Sequence, residues 1–170
     1  MKKLFLLLLL SLLCSATIYY YLPEEKLESG VVIDKLVVSK KHHTMQAFSN
    51  GRVVKVYSIA IGKGHGDKQQ EGDRCTPEGI YQIINKNPNS GYHKNLGISY
   101  PNKKDREQAK KRGVPPGGDV KIHALKNGRG YIGKFHRWRD WTNGCIAVTN
   151  EEMDELYEHV QIGSPIIINP

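Results

Sequence analysis

The sequence predicts a mainly β domain, a β-rich α+β fold with two short helices, preceded by an apolar N-terminal segment. Two observations carry this prediction. β-branched and aromatic residues fall in short runs separated by Gly, Pro and Asn, and only two later stretches have helical features. The chain has 170 residues, which suits one domain with a hydrophobic core and is too short for two of ordinary size.

Short strands are predicted along most of the chain. The segments 42–48 and 52–61 flank Ser49-Asn50-Gly51, and Asn-Gly between such runs is a strong hairpin signal. The segments 62–73 and 85–95 are expected to be loops because they are rich in Gly, Asn and charged residues. The other predicted strands are 31–38, 80–84, 120–124, 145–148 and 165–168.

Two helices are predicted between these strands. The charged segment 102–112 is followed by Gly113, a common helix terminator. The second helix begins after Thr149, which forms a capping box with Glu152, and continues to Gly163. Its apolar face is formed by residues at helical spacing, Met153, Leu156, Tyr157 and Val160.

The first 22 residues have the features of an export segment. Lys2 and Lys3 precede an apolar run, and the small residues Cys14 and Ala16 stand where a signal peptidase would cut. The uncharged stretch 4–22 is also long enough to remain as a membrane anchor. A lipoprotein signal is the third interpretation, and Leu13 before Cys14 disfavours it. We therefore expect residues 1–22 to be a signal peptide or anchor, 23–30 a linker, and 31–170 an exported domain in the periplasm or cell wall.

The formal net charge of +8 would attract polyanions, and the bacterial wall and membrane faces are polyanionic. The Lys and Arg residues are scattered and no nucleic-acid-binding motif is present, so nucleic acid is not the expected partner.

Two cysteines remain after the export segment, Cys75 and Cys145. In an exported domain they can form a disulfide or leave a reactive thiol. Gly144 precedes Cys145 at the start of a predicted strand, and backbone amides of Asn143, Gly144 and Cys145 can form an oxyanion hole. His123 ends another strand, where an imidazole can accept the thiol proton. From composition alone, a buried cysteine and a packed histidine are the commoner interpretation.

A resemblance to a known family favours the reactive pair. Ile122-His123-Ala124 and Thr142-Asn143-Gly144-Cys145, with His123 and Cys145 twenty-two residues apart, resemble the paired motifs of the L,D-transpeptidase catalytic-domain family, also called the YkuD type. The segment 72–81, Gly-Asp-Arg-Cys-Thr-Pro-Glu-Gly-Ile-Tyr, is similar to a second motif of that family, and the likeness extends over about 31–170. The resemblance implies the family's β-sandwich-like fold.

The resemblance also implies a reaction on peptidoglycan stem peptides. Cys145 would be the nucleophile that forms a thioester, His123 the general base and acid, and the Ala124 backbone carbonyl the group that orients His123. Neither a metal nor a cofactor is implied. The chain has Ala124 where the family usually has Gly or Ser, and Asn143 where it often has His.

Further side chains are candidates for substrate binding. We expect Thr142, Tyr92, His136, Arg137, Arg139 and Trp141 to lie near the cleft. His136 with the two arginines is suited to contact substrate carboxylates, although a solvated basic loop is an equal alternative. His65, Asp67 and Asp73 lack a metal-ligand spacing and are expected to be solvated loop residues.

Three functions agree with the sequence. The leading hypothesis is a transpeptidase that transfers the acyl group to an amine of a second stem or attaches a wall-linked protein. The second is a hydrolase on the same scaffold, an L,D-carboxypeptidase or an amidase that releases such a protein. The third is a non-catalytic wall-binding module, which the intact His123, Gly144 and Cys145 disfavour. Membrane contact is expected only through the N-terminal segment.

Overall fold

Eight strands form a continuous mixed sheet in the computed structural model, which describes residues 1–170. The strands are β1 (Lys35–Ser39), β2 (Thr44–Ser49), β3 (Arg52–Ser58), β4 (Gly79–Ser90), β5 (His93–Ile98), β6 (Lys121–His123), β7 (Ile146–Ala147) and β8 (Pro165–Asn169). The helices are α1 (Lys2–Tyr21), α2 (Lys103–Arg112) and α3 (Asn150–His159), and a kinked 3₁₀ segment spans Gly130–Trp138.

The strand order is β3-β2-β1-β8-β4-β5-β6-β7, with β1–β8 and β6–β7 parallel and the other pairs antiparallel. The chain beyond β3 curves back to the opposite edge. There Ala60 pairs with Ala147, and Gly62 pairs with Thr142. The sheet therefore curls into a half-barrel whose first and last strands meet beside Thr142. This confirms the mainly β, α+β class.

The hydrophobic core lies between the curved sheet and α3. Leu36, Ile122 and Ile166 contribute from the sheet, and Met153 and Leu156 from α3, all with no exposed surface. Each such fully buried side chain contributes about 1.5–3 kcal/mol of transfer free energy. This packing fixes β6 and β7, which carry the candidate site.

Both predicted helices are confirmed with their caps. Asn102 and Asp105 form a capping box at the start of α2, and Gly113 ends the helix in the left-handed conformation with φ of 71°. Thr149 and Glu152 form the predicted capping box of α3. α3 ends at His159, before Gly163, because Val160 already has extended backbone geometry.

The predicted loop 85–95 is wrong, because β4 continues to Ser90 and forms a hairpin with β5. The register shifts between Asn87 and Ser90, and Pro88 lies in that irregular stretch, where no ladder hydrogen bond is required of it. The 3₁₀ segment was also not predicted.

The apolar helix α1 is long and apolar enough to cross a membrane, a test that a signal sequence near the N-terminus also passes. The chain after it contacts the domain. Tyr20 donates a hydrogen bond to the carbonyl of Tyr131 at 2.7 Å, and Glu24 forms ion pairs with Lys134 and Arg137 at 3.1 Å each. Residues 20–24 therefore lie on the 3₁₀ segment.

Candidate active site

His123 and Cys145 lie on adjacent strands at the edge of the sheet. β6 pairs with β7 so that His123 stands opposite Ala147. Cys145 directly precedes β7, two positions before Ala147, and alternate residues of a strand share a face. His123 and Cys145 therefore lie at the same edge of the sheet, two register positions apart. The thiol lies 3.8 Å from the carbonyl oxygen of Asp119.

A short hydrogen bond fixes the tautomer of His123. Its Nδ1 lies 2.6 Å from the carbonyl oxygen of Ala124. A carbonyl oxygen only accepts, so Nδ1 carries the proton and Nε2 of the neutral ring carries the lone pair. Nε2 makes no hydrogen bond and is not buried from solvent. His123 is thus oriented by a main-chain group, as the resemblance implies for Ala124.

Burial shifts both members of the pair toward their neutral forms. Desolvation lowers the pKa of His123, opposed by the hydrogen bond to Ala124, while the charge of Lys121 lowers it further. Desolvation likewise raises the pKa of Cys145, and the hydrogen bond and charge of Lys121 oppose that rise. At neutral pH the resting pair is therefore a thiol and a neutral imidazole that is able to accept its proton.

Two aromatic side chains flank the imidazole of His123. The centroid of the Tyr92 ring lies 4.7 Å from the centroid of the imidazole. The centroid of the Trp141 ring lies 5.6 Å from it, in an edge-on arrangement. Tyr92 and Trp141 are themselves 6.3 Å apart and nearly parallel. These contacts exclude water from one side of the imidazole and hold its plane.

The loop before Cys145 offers two unpartnered amides. The amide of Gly144 donates to the hydroxyl of Thr142 at 3.1 Å, whereas the amides of Asn143 and Cys145 make no hydrogen bond. The Thr142 hydroxyl in turn donates to the carbonyl of Cys145 at 2.7 Å. Of the three amides predicted for an oxyanion hole, two are therefore available, and Thr142 shapes the loop from a buried position.

The segment 72–81, which resembles a second motif of the family, packs against the loop before Cys145. Gly144 has φ of 126°, and a Cβ there would stand 2.8 Å from the carbonyl oxygen of Cys75. The hydroxyl of Thr76 accepts a hydrogen bond from the amide of Gly62 at 2.9 Å. Cys75 is buried and its thiol is free, as is that of Cys145. The segment 72–81 thus packs against Gly144, the residue before the candidate nucleophile.

Two carboxylates of the Gly-rich loop 62–73 accept hydrogen bonds from backbone amides. Asp73 accepts from the amides of Gln69, Gln70 and Cys75, and Asp67 accepts from the amide of Glu78. These bonds order the loop beside Cys75, so Asp67 and Asp73 are less solvated than expected.

Four of the six predicted substrate-binding residues line one cavity of about 360 Å³, and these are Tyr92, His136, Arg139 and Trp141. Arg137 lies elsewhere, with its guanidinium 2.6 Å from the buried Glu152. Burial lowers the pKa of His136 to about 4, and the positive charge of Arg137 adds to that effect.

Two cationic residues of this cavity were not predicted, Lys126 and Arg129. Both lie in the turn between β6 and the 3₁₀ segment. The signal that identifies them is their position soon after His123, combined with the absence of acidic residues between Ala124 and Arg139.

Comparison with known proteins agrees with this geometry. A family model for the L,D-transpeptidase catalytic domain, YkuD, matches residues 33–168. "Putative L,D-transpeptidase YafK" of Escherichia coli (strain K12) is 32% identical over 101 residues, covering 57% of this chain and 32% of that protein. "Putative L,D-transpeptidase YqjB" of Bacillus subtilis (strain 168) is 27% identical over 136 residues, covering 78% of this chain and 69% of that protein.

A solved structure is similar over most of the chain. The helical cell shape determining protein Pgp2 of Campylobacter jejuni is 25% identical with a TM-score of 0.59, over 85% of this chain and 51% of that one. The present chain spans about a third of the length of the Escherichia coli relative and half of that of Pgp2.

Proposed function

Because the chain belongs to the L,D-transpeptidase catalytic domain family, we propose that it is a peptidoglycan-modifying acyltransferase with Cys145 as its nucleophile. The observation that carries the proposal is the hydrogen bond from His123 Nδ1 to the carbonyl of Ala124. It leaves Nε2 free to act as a proton acceptor, at the sheet edge where Cys145 precedes β7.

Acylation begins when Nε2 of His123 takes the thiol proton and the sulfur attacks the carbonyl carbon between an L-centre and a D-centre of a stem peptide. The carbonyl electrons move onto oxygen, where the free amides of Asn143 and Cys145 are suited to stabilise the charge. The C–N bond then breaks, and His123 returns its proton to the leaving amine. A thioester on Cys145 remains.

Deacylation repeats these steps in reverse with a second amine. His123 takes a proton from that amine as its nitrogen attacks the thioester, the C–S bond breaks, and the sulfur regains the proton from the imidazole. Both half-reactions begin with an imidazole that must accept a proton. The lowered pKa of His123 keeps the ring neutral before each proton transfer, which favours its role as the general base.

The N-terminal segment is proposed to export the domain and to hold it at the membrane. The apolar α1 followed by the contacts of Tyr20 and Glu24 with the 3₁₀ segment supports an anchor that stays attached to the catalytic domain. On this proposal residues 1–22 are the anchor and residues 23–30 form an ordered linker. The catalytic domain then reaches the wall peptides from the external face of the membrane that α1 crosses.

Purified muropeptides provide the test. Incubation with residues 23–170 should yield dimeric stems detected by mass spectrometry, and Cys145→Ala should yield none. Trimmed stems without dimers would instead show a hydrolase. Unchanged muropeptides under conditions in which the protein is folded would overturn the enzymatic proposal.

A further inference from the structure

We propose that the cavity beside His123 is a carboxylate-binding pocket, which holds the carboxyl group carried by the amine component of the reaction. The inference rests on the proposed function, because the amine component is the amino-acid unit that leaves from, or enters at, the acyl group on Cys145.

The charge of the cavity wall is entirely positive. The side chains of Lys126, Arg129 and Arg139 line it, and no carboxylate does. None of the three cations forms an ion pair within the protein, in contrast to the neighbouring Lys134 and Arg137. Guanidinium groups bind carboxylates through paired N–H donors, so these free side chains favour an anion of that shape.

A buried donor on the same wall lacks an acceptor. His136 is 5% exposed, and its Nε2 has no hydrogen-bond partner. Its Nδ1 accepts from the indole N–H of Trp141 at 3.4 Å, and because the indole nitrogen only donates, the neutral ring carries its proton on Nε2. The residues of the cavity therefore include three cations without ion-pair partners and a histidine whose buried N–H lacks an acceptor, and an oxygen anion complements the cations.

The cavity adjoins the imidazole that handles the reacting nitrogen. Tyr92 and Trp141 line the cavity and also contact the ring of His123, at 4.7 and 5.6 Å. In the proposed reaction His123 protonates the leaving amine and deprotonates the incoming one, so the amine component lies on this side of the thiol. A terminal D-amino acid carries a carboxylate one carbon from that nitrogen, and the cavity shares Tyr92 and Trp141 with the surroundings of this imidazole.

Peptide binding tests the pocket without turnover. Calorimetry on Cys145→Ala, at low salt, compares a tetrapeptide stem ending in a free carboxylate with the same peptide ending in a carboxamide. We expect the carboxylate to bind about tenfold more tightly, as for one charge-assisted pair. Adding Arg129→Gln or Arg139→Gln should remove most of that preference. Arg52→Gln, an exposed arginine on β3, should retain it.

The turnover arm tests the incoming amine. The wild-type thioester is offered D-alanine and D-alaninamide in equal amounts, and the ratio of transfer products is measured by mass spectrometry. The pocket is supported if either experiment shows a preference for the acid over the amide and Arg129→Gln and Arg139→Gln abolish that preference. A preference in peptide binding identifies the carboxylate of the leaving amino acid, and a preference in turnover identifies that of the incoming one. Equal treatment of acid and amide in both arms overturns the inference.

The two proposals fail in different ways. A carboxylate preference in binding without any acyl-enzyme on the wild-type protein would contradict the proposed function and leave an anion-binding pocket. Acyl-enzyme formation with no preference between acid and amide would contradict the pocket alone.

Discussion

The imidazole Nδ1 of His123 lies 2.6 Å from the carbonyl oxygen of the next residue, Ala124. A main-chain oxygen thus does the orienting that a carboxylate performs in many catalytic triads. The arrangement explains how Ala124 can differ from the family's usual Gly or Ser, since the carbonyl is present whatever the side chain.

Substitution of Ala124 tests this main-chain role. Ala124→Gly keeps the carbonyl, so we expect kcat to change by less than about fivefold while the loss of one buried methyl lowers the free energy of unfolding by ~1 kcal/mol. Steady-state assays and urea unfolding measure the two quantities. A loss of activity as large as that of His123→Ala, in a folded protein, would contradict the orienting role of the carbonyl.

The thiol of Cys145 should react slowly with alkylating agents at neutral pH. Its pKa is raised by burial, so the thiolate forms only above the usual value of about 8.5. The rate of iodoacetamide labelling, followed by mass spectrometry from pH 5 to 10, should increase throughout the upper part of that range. A plateau reached below pH 7 would instead indicate a preformed thiolate–imidazolium pair.

Activity should persist at mildly acidic pH. The base form of His123 is neutral, and its lowered pKa keeps it neutral until the pH falls below about 6.5, the usual value. The acid limb of the kcat/KM profile should therefore have its midpoint below 6.5. A midpoint above 7 would show that the surroundings of His123 stabilise its protonated form, which would contradict the lowered pKa.

Glycine at 144 should be required for the close approach of this loop to Cys75. Gly144→Ala adds a Cβ 2.8 Å from the carbonyl oxygen of Cys75 at φ of 126°, so we expect a loss of roughly 1–3 kcal/mol in stability and of most acylation. Gly128→Ala is a matched control, because it also has positive φ but nothing lies within 4 Å. Thermal unfolding and acylation rates of the two variants provide the comparison, and equal behaviour would contradict the proposed contact.

Arg137 should matter for stability more than for substrate binding. Its guanidinium pairs with Glu152, whose side chain is 3% exposed, so Arg137→Ala leaves a buried carboxylate without its partner. We expect a loss of about 3–5 kcal/mol in the free energy of unfolding. Arg52→Ala on exposed β3 should change it by less than ~0.5 kcal/mol. A small effect of Arg137→Ala on unfolding would show that this ion pair is not formed.

The strand ends that carry His123 and Cys145 are predicted from local sequence, whereas their assignment as a reactive pair rests on the resemblance of the two motifs to those of the family. His123 and Cys145 stand at strand ends, with Gly144 beside the cysteine, and strand ends are positions that β-branched patterning identifies. The capped helices are equally local, since Thr149 and Glu152 recognise each other over three residues.

The parts that the sequence does not predict depend on distant partners. The extension of β4 through Asn87 and Pro88 has weak intrinsic β propensity and exists because β5 pairs with it. Arg137 and Arg139 are two residues apart, yet one is drawn to Glu152 of α3 and the other lines the cavity. No local pattern distinguishes them, and the same holds for the role of Arg129.

Intact-protein mass spectrometry of residues 23–170 mixed with a tetrapeptide stem tests directly whether Cys145 forms an acyl-enzyme. We expect a thioester adduct that adds the mass of the stem minus that of the released terminal amino acid, located on Cys145 by proteolysis, absent from Cys145→Ala and strongly reduced in His123→Ala. Turnover of the stem by the Cys145→Ala protein, or an adduct on any other residue, would contradict it.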